Sequence, residues 1–280
     1  MQPSRLDIPY LLNGAFHRLA STTWGDPATP PVLCVHGLTR TGRDFDALAR
    51  ALAADHYVVC PDLPGRGQSS WLTPGALYQP PSYVVALAHL LAAIGRPVAW
   101  VGTSLGGICG MLTAAAPGAP ISRMVLNDIG PFIPAAALAR IGEYVGAAPI
   151  FAGLDEAEAY LRRVHAPFGK LTDAQWRHLT TTGTRALPDG RSVPHYDPAI
   201  ADPMRAGPAQ DIDMWSIWDR IERPLLVLRG EASDLLMPET LARMAVKART
   251  HTVPDCGHAP ALMDAATIGV VRDFLRDADQ

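Results

Sequence analysis

The chain is short of cysteine and of charge, and each shortage closes off a class of protein. Four cysteines stand in 280 residues, at positions 34, 60, 109 and 256, with no C-x-x-C pair. That spacing excludes a disulfide framework and a cysteine zinc ribbon. It predicts buried free thiols in a reducing, cytoplasmic setting. Nine histidines form no H-x-H or H-x-x-x-H pattern, so no metal and no other cofactor is expected. Charged residues make up only 18% and the net charge is −3. Without a basic stripe, nucleic acid is not an expected partner. The opening residues Met1 to Asp7 lack the apolar run of a secretion signal. Pro97 to Ser122 carries no charge and is long enough to span a bilayer, but five glycines interrupt it. A buried strand followed by a buried helix explains it better, and no membrane partner is expected.

What the chain has in quantity is apolar sequence, 48% of it, enough for a large core. Its most informative segment is Gly102-Thr103-Ser104-Leu105-Gly106, a G-x-S-x-G between an apolar strand-like run, Pro97 to Val101, and a small-residue helical stretch, Leu105 to Ala116. In that setting the pentapeptide reads as a nucleophile elbow. A serine on a tight turn stands clear of the backbone, and glycines at 102 and 106 leave room for it. A helix starting there aims free N–H groups at the reaction centre, so Leu105 N–H is a candidate oxyanion donor. By itself the motif is weak, because a plain glycine-rich turn reads the same.

Three further segments support it. Pro31 to Val35 is an apolar strand running into His36-Gly37-Leu38, where the glycine lets Leu38 N–H face the serine as a second oxyanion donor. His36 reads as a structural hydrogen-bonder rather than a base. Tyr57 to Pro61 leads into Asp62-Leu63-Pro64-Gly65-Arg66-Gly67-Gln68-Ser69, a turn expected to shape the loop. Pro224 to Arg229 and Thr250 to Pro254 read as strands, followed by Asp234 and by Gly257-His258. Ser104, Asp234 and His258 thus occur in the order Ser…Asp…His, each just after a strand, where a doubly wound sheet carries its catalytic loops.

Together these segments resemble the α/β-hydrolase fold over nearly the whole chain. The likeness is greatest to capped, carboxylesterase-like proteobacterial members, in which Leu126-Asn127-Asp128-Ile129-Gly130-Pro131 also recurs. The resemblance implies a mostly parallel, doubly wound α/β sheet with helices on both faces and an inserted helical cap. It also implies a Ser104–His258–Asp234 triad working without metal. Asp234 is preferred as the acid because the family most often places it there. Asp128, after the strand Ile121 to Leu126, is the alternative, and Asp255 is too close to His258 to orient it.

Between Pro131 and Arg223 the βα alternation stops. Ala135 to Val145 and Asp155 to His165 read as helices, the latter with Asp155 as N-cap. Thr172-Asp173-Ala174-Gln175 opens another with a capping box, and Arg185 to Asp211 reads as a long loop. The division expected is a core of residues 1–131 and 222–280 with a cap of residues 132–221. The expected activity is hydrolysis of small to medium carboxylic esters through an acyl-enzyme. A thioesterase, a lactonase or a C–C bond hydrolase would use the same residues, and a non-enzymatic ligand receptor on this fold is a further alternative. The expected partner is a small-molecule ester, and a homodimer is left open.

Overall fold

The computed structural model describes residues 2–277. The first half of the chain runs β1 (Ser4–Leu12), β2 (Ala15–Trp24), β3 (Pro31–Val35), α1 (Asp46–Leu52), β4 (Tyr57–Pro61), α2 (Pro80–Ile94), β5 (Val98–Thr103), α3 (Leu105–Ala114) and β6 (Ile121–Asn127). An insertion follows, with β7 (Phe132–Ile133), α4 (Ala135–Gly142), α5 (Leu154–Val164), α6 (Asp173–Gly183), β8 (Thr184–Ala186), β9 (Ser192–Pro194), α7 (Asp202–Arg205), β10 (Ile212–Asp213) and α8 (Trp215–Trp218). The chain returns through β11 (Leu225–Gly230), α9 (Pro238–Met244), β12 (Arg249–Val253) and α10 (Ala265–Arg276).

Eight strands form one sheet in the order β1-β2-β4-β3-β5-β6-β11-β12. From β4 to β12 every pairing is parallel, and only the β1–β2 hairpin and its junction with β4 are antiparallel. The central strands are apolar on both faces, as a sheet covered on both sides requires. Alternation within β3 shows how they are used. Leu33 and Val35 enter the core packed by α2, α3 and α9. Val32 and Cys34 enter the opposite core, packed by α1 and α10.

All four cysteines are buried and unpaired, as their spacing implied. The capping box of α6 forms, with Thr172 Oγ1 accepting from Gln175 N–H at 3.3 Å and Gln175 Oε1 accepting from Thr172 N–H at 2.8 Å. Two local expectations change. Gly153, not Asp155, is the N-cap of α5, because the Asp155 carboxylate is drawn outward to Arg177. The stretch expected as one loop, residues 185–211, carries the β8–β9 ribbon and α7. No described helix is long and apolar enough to cross a membrane.

Candidate active site

Ser104 stands between β5 and α3, as the N-cap of α3, with φ 50° and ψ −115°, a strained conformation for any residue with a β-carbon. Two glycines permit this turn. A Cβ on Gly102 would lie 2.5 Å from the Gly106 carbonyl oxygen, and one on Gly106 would lie 1.9 Å from that of Val35. The result lifts the Ser104 hydroxyl off the carboxyl edge of the sheet. The first turn of α3 leaves Leu105 N–H without an intrahelical acceptor.

Ser104 Oγ donates to His258 Nε2 at 3.1 Å, and His258 Nδ1 donates to Asp128 Oδ2 at 2.7 Å. His258 lies on a loop where Asp255, Ala259 and Leu262 all have positive φ, and this folds the loop back over the sheet. Asp128 follows β6 directly, also with positive φ, and is fully buried. Its carboxylate accepts from Gly230 N–H at 2.7 Å, from the Ser233 hydroxyl at 2.6 Å and from Ala259 N–H at 3.2 Å as well. A buried carboxylate held by so many donors stays fixed beside the imidazole.

The sequence-based assignment of the acid is therefore corrected. Asp234 does not reach His258. It is about half exposed and paired with Arg140 of α4, at 2.5 and 2.9 Å. The loop after β11 does approach the site, but it presents Ser233, the neighbouring residue, whose hydroxyl braces Asp128. Of these two neighbours Ser233 is buried and Asp234 about half exposed. Asn127, at the end of β6, adds a second brace. Its amide donates to Thr103 Oγ1 at 3.0 Å and to the Pro260 carbonyl at 2.8 Å, tying the elbow strand to the His258 loop.

The loop after β3 faces the same hydroxyl. A Cβ on Gly37 would sit 3.8 Å from Ser104 Cβ, and Leu38 lines the cavity shared with Ser104. His36 is structural. Its Nδ1 donates to Gly37 O at 2.7 Å and its Nε2 accepts from Leu63 N–H at 2.9 Å. Burial drives its pKa down to about 3, which keeps it neutral and suits the accepting nitrogen. The expected loop-shaping role of residues 62–69 is visible in Arg66, a fully buried guanidinium between Tyr78 and Tyr83. Its Nε donates to the Leu38 carbonyl at 2.8 Å.

Two cavities meet at Ser104. A small chamber of about 60 Å³ is lined by His258, Arg40, Asp44, Tyr144, His165 and Phe168. A groove of about 860 Å³ is lined by Leu105, Ile108, Ile129, Ile133, Leu138 and Met204. Both draw on the insertion for walls. The turn 166–168 is stitched to the His258 loop, since Gly257 N–H donates to Pro167 O at 2.8 Å and Ala261 N–H to Phe168 O at 3.2 Å. Cys256 also packs on this turn, and burial raises its thiol pKa to about 11, far from a reactive thiolate. Among the described residues no group of three His, Cys, Asp or Glu side chains could hold a metal ion.

A fold of this topology with a serine at the elbow defines a class, and comparison with known proteins identifies it. Residues 32–270 match the model of the alpha/beta hydrolase family, and the chain belongs to that family. A 3-hydroxybutyrate-oligomer hydrolase of Cupriavidus necator is 44% identical over 94% of both chains. A putative hydrolase from Rickettsia typhi superposes with a TM-score of 0.92 at 29% identity, covering all of both chains. An alpha/beta hydrolase from Novosphingobium aromaticivorans gives 0.88 at 37% identity, covering 98% of this chain and 99% of that one. The protein is a hydrolase.

Proposed function

We propose that the protein cleaves carboxylic esters through an acyl-enzyme. Ser104 is the nucleophile, His258 the general base and then acid, and Asp128 the carboxylate that orients His258. What carries this reading is the unbroken hydrogen-bond line from Ser104 Oγ through His258 to Asp128. With Asp128 on Nδ1, the lone pair of His258 Nε2 faces the serine and can take its proton. The attacked carbonyl oxygen becomes an oxyanion held by Leu38 and Leu105 N–H, and losing one such donor typically costs about 3–4 kcal/mol of transition-state stabilisation. His258 returns the proton to the leaving alcohol. It then activates a water that frees the acid. Residues 132–221 act as a cap that roofs this chemistry.

The proposed substrates are short oligomeric esters of hydroxy acids, the class for which the Cupriavidus necator relative is named. Linear 3-hydroxybutyrate dimer and trimer, with p-nitrophenyl butyrate as a general ester, test the reading. Turnover of all three is expected, with Ser104→Ala lowering kcat by about 10⁶-fold. Faster turnover of a thioester, a lactone or a vinylogous diketone would reassign the bond cleaved. Absence of turnover with any ester, beside tight binding of a small ligand, would favour a receptor.

A further inference from the structure

The two cavities at Ser104 divide an ester between them. We infer that the small chamber takes the leaving alcohol and that His165 is the hydrogen-bond partner of a carbonyl carried by that alcohol. The alcohol is a short hydroxy acid or its ester, and the acyl chain lies in the large groove. This rests on the ester-hydrolase reading above.

The direction follows from proton transfer. A tetrahedral intermediate on Ser104 has three other substituents. Its oxyanion lies with Leu38 and Leu105, and its leaving oxygen must face His258 Nε2, which supplies the departing proton. His258 lines the small chamber and not the groove, whereas Leu105 lines the groove and not the chamber. The alcohol therefore departs into the chamber. A cavity of about 60 Å³ takes roughly four to six non-hydrogen atoms, if one water needs some 10–15 Å³ by this measure. A 3-hydroxybutyrate unit has seven, of which the ester oxygen stays at Ser104, so the six beyond it fill the chamber and a second unit does not fit. The groove, at about 860 Å³, takes several.

The chamber wall also carries a polar side chain that the protein does not engage, His165. Arg40 and Asp44 hold each other bidentately at 2.8 Å and their charges cancel. Both nitrogens of His36 are engaged. His165, only 8% exposed, touches the rings of Phe168 and Tyr144, and its imidazole has no hydrogen-bond partner among the described residues. Burial above all, then repulsion from Arg40 and His258, holds it well below its ordinary pKa, so it is a neutral donor. Neither ring nitrogen is fully enclosed, so the imidazole is open to a ligand that enters the chamber. Its position is fixed, because the turn that follows it is stitched to the His258 loop. An oligomer of hydroxy acids bound this way loses its carboxyl-terminal unit at each turnover.

Two matched butyrate esters of secondary alcohols read the contact, methyl 3-butyryloxybutanoate and sec-butyl butyrate. Wild type is expected to favour the first by about tenfold or more in kcat/KM. His165→Leu should narrow that ratio to under about threefold, and His165→Gln, which keeps a donor, should retain most of it. A second series lengthens either the acyl side or the alcohol side by one hydroxybutyrate unit, and only the acyl extension should be tolerated. The inference is overturned if the ratio survives His165→Leu, if His165→Gln behaves as His165→Leu does, or if the alcohol extension is tolerated equally. A wild type that turns over no ester, p-nitrophenyl butyrate included, overturns the ester reading and this inference with it.

Discussion

Asp128 Oδ2 accepts the His258 Nδ1 proton at 2.7 Å while Asp128 Oδ1 holds the N–H of Gly230 at the end of β11, also at 2.7 Å. One buried carboxylate thus fixes the imidazole tautomer and joins two strand ends. Asp128→Asn places an amide where an acceptor is needed and is expected to lower kcat by about 10³–10⁴-fold. Asp234→Asn removes only a half-exposed pair with Arg140, and such pairs contribute about 0–1 kcal/mol. Its activity should stay within about twofold of wild type on that scale. Steady-state kinetics of the two variants side by side decide the point, and the reverse ranking would return the acid to Asp234.

The sequence made the strands, the elbow and the loop that carries His258 legible because each rests on local rules. An apolar run before G-x-S-x-G is a strand entering a tight turn whatever lies around it. Which aspartate stands beside His258 was not legible in this way. Asp128 and Asp234 both follow core strands, and their roles are separated by which side chain of the 230–234 turn faces inward. That is a tertiary fact, in which Ser233 takes the inner place and Asp234 pairs with α4. His165 escaped notice for a related reason. Its meaning depends on a turn that reaches across about 90 residues to the His258 loop, and no periodicity records such a contact.

The elbow glycines should fail for steric rather than conformational reasons. Gly106 sits inside α3, where alanine is ordinarily the better residue. Its added methyl would nevertheless lie 1.9 Å from the Val35 carbonyl oxygen, on a strand in the middle of the sheet. Gly106→Ala is expected to cost about 4 kcal/mol or more, or to prevent folding. Gly118→Ala is the control. It has φ +74° but open space around it, and should cost only about 1–2 kcal/mol. Denaturant midpoints measure both, and similar losses would refute the distinction.

Stability should fall in acid as buried histidines are forced to charge. The pKa of His36 is lowered to about 3 by burial, against an ordinary 6.5, and Nε2 can accept from Leu63 only when unprotonated. Between those values the unfolded chain binds the extra proton, so unfolding becomes easier as pH falls. The contribution is complete above pH 6.5 and is lost progressively toward pH 3, at up to about 1.4 kcal/mol per pH unit for one proton. His56, His165 and His195 are lowered too, chiefly by burial, and act in the same direction. His36→Gln should be less stable at neutral pH and show a shallower slope below pH 6.5. Urea titrations across pH 4–8 test this, and an unchanged slope would exclude His36 as a contributor.

Ser104 holds a conformation that costs a residue with a β-carbon of the order of 1–3 kcal/mol. Catalysis needs the hydroxyl, not the strain, but the hydroxyl clears the sheet only on this turn. Ser104→Ala removes the nucleophile and keeps the β-carbon, so its stability should match wild type closely. Ser104→Gly removes both. Glycine adopts this φ freely, though it also loses more freedom on folding, by about 0.5–1 kcal/mol. The net expectation is that Ser104→Gly is more stable than Ser104→Ala by about 1 kcal/mol, while both are inactive. Thermal unfolding of the three proteins measures the difference, which should appear as a rise of about 2–4 °C for glycine over alanine. If glycine proves the less stable of the two, the turn stores no strain at this residue.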